Sequence, residues 1–147
     1  MQYQITNKLD SHIYQDALSI RRRVFIEELR VPELREIDSD EGHCWHIVIY
    51  DDQGAPVATA RLLPQGDFVK VQRIAVLEEH RGQRLGTEIL QIATQKALLL
   101  GAKALKIRVR QSFIPYYQKF GYEQVGNLYL VGDVSHCDML KRLTNEP

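Results

Sequence analysis

The stretch VQRIAVLEEHRGQRLGTEIL, Val71 to Leu90, decides how the fold is read. Its opening residues are rich in aliphatic side chains and predict the end of a strand running from Phe68 to Val76. Arg81 to Gly86 (RGQRLG) carries two glycines and predicts a tight turn. Beyond it Leu85, Ile89, Ala93 and Ala97 recur at helical spacing, and Gly101 stands where a helix C-cap belongs. A strand that turns into a helix leaves the first N–H groups of that helix without intrahelical acceptors, and the helix dipole favours an anion beside them. The string contains neither G-x-x-x-x-G-K-[ST] nor G-x-G-x-x-G, so it is neither a Walker loop nor a dinucleotide fingerprint.

Working outward, Ile13, Ala17, Ile20 and Val24 predict an earlier helix, with Asp10 or Ser11 as N-cap, ending by Val31-Pro32. Gln2 to Thr6 reads as a short strand. Cys44 to Tyr50 and Pro56 to Leu63 read as a hairpin joined by Asp51-Asp52-Gln53-Gly54, and a second turn at Pro64–Asp67 leads into Phe68. After the long helix, Leu105 to Arg110 alternates, with Leu105, Ile107 and Val109 inward and Lys106, Arg108 and Arg110 outward. A short helix over Pro115 to Phe120 stops at Gly121, and strands follow at Tyr122–Val125 and Cys137–Leu143. This order predicts a mixed α/β (α+β) fold around a largely antiparallel sheet, one domain over residues 1–147.

Length and composition agree. A chain of 147 residues buries about 68–70% of its unfolded surface as one domain. Its 44% hydrophobic and 26% charged residues describe a globular protein. The 19 basic and 19 acidic residues cancel, which argues against a nucleic-acid partner, since that needs a basic excess. No apolar run approaches the ~20 residues of a membrane span, and MQYQITNKLD has no signal-peptide pattern, so a cytoplasmic location is expected. Charge is uneven: seven acids against two arginines from Glu27 to Glu41, and four bases without an acid from Lys103 to Arg110. Either run is a solvated face or one side of a substrate cleft.

Three blocks carry a resemblance. Arg81-Gly82-Gln83-Arg84-Leu85-Gly86 resembles the pyrophosphate loop Q/R-x-x-G-x-G/A of the GNAT superfamily of N-acetyltransferases. Arg73-Ile74-Ala75-Val76 resembles that family's R-[IV]-A-V strand, and Ile114 to Tyr122 (IPYYQKFGY) its tyrosine segment. Arg23-Val24-Phe25-Ile26-Glu27-Glu28, Val31-Pro32, Glu36-Ile37-Asp38 and Ser135-His136-Cys137-Asp138-Met139 resemble the ElaA-like and YjcF-like group.

The resemblance implies the GNAT fold and acyl transfer from acetyl-CoA to a primary amine, by direct attack in a ternary complex. It implies that the backbone of Ile74, Ala75 and Val76 pairs with the pantetheine arm. A bulge there would aim an amide near Val76 at the thioester oxygen, where it stabilises the developing oxyanion. Amides of Arg81, Gly82, Gln83, Arg84, Leu85, Gly86 and Thr87 would hold the pyrophosphate, and Tyr117 would protonate the departing thiolate. A homodimer through an exposed sheet edge is common in the family.

The chain departs from the pattern at three places. Arg84 stands at the middle glycine, Gln72 where many relatives have a basic Glu, and Arg108 and Arg110 where Asn or Gln is frequent. An amine needs a base, and the candidates are Glu28, Glu36, Asp38 and His46, directly or through water. A metal site is not expected, because His43, Cys44, His46, His136 and Cys137 lack the spacings of zinc sites. The acceptor is read as a small-molecule amine or a lysine. The acidic run favours a cationic acceptor and Lys106, Arg108 and Arg110 an anionic one. Two other readings stand beside this one. Arg23–Phe25, Glu36–Asp38 and Ala60–Pro64 resemble acyl-homoserine-lactone synthases, and a non-catalytic acyl-CoA-binding module is compatible with Gln72 and Arg84.

Overall fold

The computed structural model describes residues 1–32 and 37–143. Seven strands form one mixed sheet: β1 Gln2–Thr6, β2 Trp45–Tyr50, β3 Pro56–Gln65, β4 Phe68–Val76, β5 Ala104–Arg110, β6 Glu123–Val131 and β7 Val134–Arg142. The order across the sheet is β1-β2-β3-β4-β5-β7-β6. β4 and β5 run parallel, and the pairs β1–β2, β2–β3, β5–β7 and β6–β7 are antiparallel. Among the described residues the α-helices are α1 His12–Arg21, α2 Leu85–Leu99 and α3 Ile114–Gln118. Contacts group the chain into two compact units, one of Met1–Leu63 with Gln72–Ala93 and one of Pro64–Val71 with the chain from Thr94 onward.

In the first unit, Ser11 caps α1 by accepting from the Ile13 N–H at 3.1 Å, one of the two expected caps. The helix continues as a π-helix over Arg22–Glu28, a form concentrated at functional sites, and Arg30 follows with φ +62°. Ala17, Ile20, Val24, Val48, Ala75 and Leu77 form a buried cluster that seats α1 against β2 and β4. Burial of each large aliphatic side chain contributes roughly 1.5–3 kcal/mol. This packing fixes the π-helical turn beside the residues that follow β4.

In the second unit, β4 and β5 pair from Phe68↔Ala104 to Val71↔Ile107. Leu105, Ile107 and Val109 are buried while Arg108 and Arg110 are exposed, as the alternation predicts. β6 and β7 form a hairpin longer than the two strands read from sequence. Gly126, at φ +76°, lies where the β6–β7 register shifts between Val125 and Tyr129. It interrupts the ladder locally without ending the strand. Both cysteines are free and buried. Among the described residues no helix is long and apolar enough to cross a membrane.

Candidate active site

The turn after β4 forms as its sequence requires. Gly82 has φ +85°, a conformation that suits glycine, and Arg84 has φ +63°, which normally costs a side-chain-bearing residue about 1–2 kcal/mol. Leu85 then opens the 15-residue helix α2. A Cβ built on Gly86 would meet nothing within 4 Å, so open space adjoins the first helical turn. Exposed residues from Arg81 to Arg84, the N-terminus of α2 and open space beside Gly86 fit a pyrophosphate group. Arg84 supplies a cationic side chain at the same turn.

Arg81 spends its side chain differently. Its Nε donates to the Val76 carbonyl at 3.1 Å, while both terminal nitrogens donate to Glu28 at 3.0 Å each. Arg23 makes a similar pair with Glu79 at 2.9 Å. These two pairs tie the π-helical segment to the loop that follows β4. Glu28 therefore stands one guanidinium away from Val76, on the partly exposed side of the unit. The left-handed residue of β4 is Arg73, at φ +56°, three positions before Val76.

Beside this surface lies a buried polar network that sequence reasoning missed. Arg21 and Glu41 meet through two bonds of 2.7 and 2.9 Å, with Arg21 only 1% exposed. Arg61, also 1% exposed, donates to Glu41 at 2.6 Å, to Asp38 at 2.8 and 3.0 Å and to the Gln72 side-chain oxygen at 3.0 Å. Arg73 reaches Asp38 at 3.3 Å, and Tyr14 donates to Glu41 at 3.2 Å. The Arg61 bonds hold the Asp38 carboxyl down at about 2. Burial pushes the Glu41 carboxyl up, but its bonds to Arg21 outweigh that and leave it below its usual range. The acidic run thus divides: Glu27 and Glu28 face solvent, whereas Asp38 and Glu41 neutralise buried arginines. The available signal was Arg61 inside the apolar run PVATARLLP, since a buried charge requires a partner.

The base candidates occupy different surroundings. Glu28 is locked in the Arg81 fork. Asp38 is committed to Arg61, and Glu36 lies outside the described residues. His46 is fully buried in β2, edge-on to Tyr14 at 4.7 Å, and its Nε2–H donates to the Glu41 carbonyl at 3.0 Å. Burial lowers its proton affinity. Among the described residues no group meets its Nδ1. Gln72 serves as a neutral partner for Arg61.

The network makes stability depend on pH. Asp38 is depressed in the folded state, so its contribution is complete above the ordinary carboxylate value of ~3.9 and is lost as pH falls toward about 2. Chemical denaturation at pH 6, 4, 3 and 2 is expected to show stability falling through that window. Asp38→Asn is expected to flatten the fall; an unchanged slope would mean that the carboxylate is not held by Arg61.

In the second unit, Tyr117 lies on α3, which Pro115 opens at its first turn and Gly121, at φ +87°, follows. Its ring meets Tyr116 at 5.2 Å and Tyr122 at 5.6 Å, both edge-on. Burial and the neighbouring Tyr116 push the phenol up to about 12, so it keeps its proton at neutral pH.

The sequence matches the acetyltransferase (GNAT) family over residues 11–122, and the chain belongs to that family of N-acetyltransferases. It is 32% identical over 128 residues to the uncharacterized N-acetyltransferase YjcF of Bacillus subtilis, covering 86% of this chain and 91% of YjcF. The crystal structure of Escherichia coli ElaA superposes with TM-score 0.83 at 25% identity, covering 96% and 99% of the two chains. The CoA-dependent acyl-homoserine lactone synthase BjaI, solved with SAM and isopentyl-CoA, shares the fold with TM-score 0.78 at 19% identity, covering 97% of this chain and 83% of BjaI.

Proposed function

We propose that the protein transfers an acetyl group from acetyl-CoA to a primary amine by direct attack in a ternary complex. The carrying observation is the turn Arg81–Leu85 opening α2, with left-handed Gly82 and Arg84 and open space beside Gly86. Isopentyl-CoA in the BjaI structure supports an acyl-CoA as the ligand class of this fold.

Backbone amides of Arg81, Gly82, Gln83, Leu85, Gly86 and Thr87 hold the pyrophosphate, and the Arg84 guanidinium adds a charged donor. The strand segment Ile74, Ala75 and Val76 pairs with the pantetheine arm, and an amide near Val76 faces the thioester oxygen. The amine nitrogen attacks the thioester carbon, the C–S bond breaks, and Tyr117 gives its phenolic proton to the leaving thiolate. Glu28 orients Arg81, which holds the Val76 carbonyl; His46 stays in the buried network. The acceptor is a small-molecule amine or a lysine side chain.

The test is CoA release from acetyl-CoA with a panel of primary amines, set against acetyl-CoA alone. Release stimulated by an amine, with the acetamide as product, is the expected result; acetyl-CoA binding without transfer to any amine would favour the non-catalytic module. Arg84→Gly separates the two contributions of that residue. It relieves the left-handed backbone, so the ligand-free melting temperature is expected to hold or rise. It also removes a charge-assisted bond of about 1.5–3 kcal/mol, so acetyl-CoA affinity is expected to fall roughly 10–100-fold by calorimetry. Unchanged affinity would restrict phosphate binding to the backbone.

A further inference from the structure

The second unit carries a group that the reading above leaves without a task. His136 lies on β7 in the alternating run Ser135–Met139, where Cys137 and Met139 are buried and His136 and Asp138 take the other face. Its Nδ1 is 2.9 Å from the Val134 carbonyl oxygen. A carbonyl only accepts, so Nδ1 carries the hydrogen and donates it. In the neutral ring Nε2 is then left with a bare lone pair. His136 is partly exposed, whereas His46 is fully buried with its Nε2 already bonded.

The register locates this imidazole. His136 pairs with Arg110, the last residue of β5, and on its other side with Tyr129 of β6. Arg110 leads directly through the turn Gln111–Phe113 into α3, which carries Tyr117. Within the second unit, His136 thus sits at the end of the sheet from which the tyrosine helix departs. One step along the face, Arg108 is opposite Asp138, and Asp138 accepts from the Tyr129 hydroxyl at 2.5 Å and forms an ion pair with Lys106 at 3.8 Å. Asp138, the next residue along this face, is therefore already bonded, and the groups in register with His136 are a cation and a phenol. Neither Arg110 nor the Tyr129 hydroxyl, pushed up to about 12, accepts a proton at neutral pH.

We propose that His136 is the base that takes the proton from the acceptor ammonium; this rests on the amine-acetylation reading. One ammonium proton passes to Nε2 and later to solvent. The neutral amine forms the C–N bond as the C–S bond breaks and Tyr117 protonates sulfur. The surplus proton on the new amide nitrogen returns to the phenolate, so the net products are acetamide, CoA and one released proton. Imidazole is the side chain best suited to this exchange near neutral pH.

The first test needs no acceptor. Long-range nitrogen–proton correlation spectra of the histidine-labelled protein are expected to show neutral His136 protonated at Nδ1; protonation at Nε2 overturns the proposal. The second compares His136→Asn and His136→Gln with the unsubstituted protein, using acetyl-CoA with spermidine, glucosamine or Nα-acetyl-lysine and, as control, hydroxylamine, which is unprotonated at neutral pH. In His136→Asn the amide keeps a donor near the Val134 carbonyl and removes the Nε2 lone pair. Turnover of an ammonium acceptor is expected to fall about 10²–10⁴-fold in both variants, with hydroxylamine turnover within about threefold and added imidazole restoring part of the loss. Equal losses with all nucleophiles, or no loss, overturn the proposal. If acetyl-CoA itself fails to bind, the acetyl-transfer reading fails and the nitrogen spectra alone decide the tautomer.

Discussion

Tyr117→Phe is expected to lower kcat about 10²–10⁴-fold while leaving the KM for acetyl-CoA and the melting temperature nearly unchanged. The phenyl ring keeps the edge-on contacts to Tyr116 and Tyr122, so the fold of α3 is preserved. What is lost is one proton. With the hydroxyl gone, the thiolate leaves without a proton from the enzyme, and the barrier to C–S cleavage rises in the transition state alone. Such a change moves kcat and kcat/KM together. The measurement is steady-state CoA release with the best amine of the panel. A rate within threefold of the unsubstituted enzyme would remove Tyr117 from the chemistry and leave it as a packing residue of the Tyr116–Tyr117–Tyr122 cluster.

Arg61→Ala is expected to cost about 3–5 kcal/mol of stability, the usual consequence of removing one partner from a buried ionic network. Arg61 bonds Asp38, Glu41 and Gln72 at once, and Glu41 is only 4% exposed. Its removal leaves Asp38 with Arg73 at 3.3 Å and takes one of two arginines from the buried Glu41, beside a void. Domains of this size are typically stable by only about 5–15 kcal/mol, so the variant would unfold at a much lower denaturant concentration, or during expression. Urea denaturation provides the check. A loss below about 1 kcal/mol would mean that water enters and solvates the network without disturbing the first unit. Arg73 ends the same network with a left-handed backbone in β4, so the ions also restrain the strand segment expected to meet the pantetheine arm.

Where local chemistry decided the outcome, the sequence was legible. Ser11 before an amphipathic run, Gly82 in a turn and Gly121 after a short helix each have a backbone reason that needs no tertiary knowledge. The alternation of Leu105 to Arg110 likewise predicted which side chains are buried. Longer-range pairing was not legible in the same way. The expected strand Tyr122–Val125 extends to Val131, because β7 supplies hydrogen bonds beyond Gly126, a residue that reads as a strand breaker. The π-helical continuation of α1 has no distinctive spacing over Arg22–Glu28. The acidic run gave net charge and not partners: only folding shows that Asp38 and Glu41 meet Arg61. His136 could be singled out in the tail motif, but its tautomer depends on a carbonyl two residues away, which no composition reports.

The measurement closest to the central claim is the melting temperature with and without acetyl-CoA, using CoA and ATP as controls. A ligand at 100 times its dissociation constant adds about 2.7 kcal/mol, or roughly 5–10 °C for a domain of this length. The expected result is a rise of that size with acetyl-CoA and CoA and little change with ATP. No rise with acetyl-CoA at saturating concentration would contradict the account, because the turn at Arg84 would then not hold the pyrophosphate on which every later step depends.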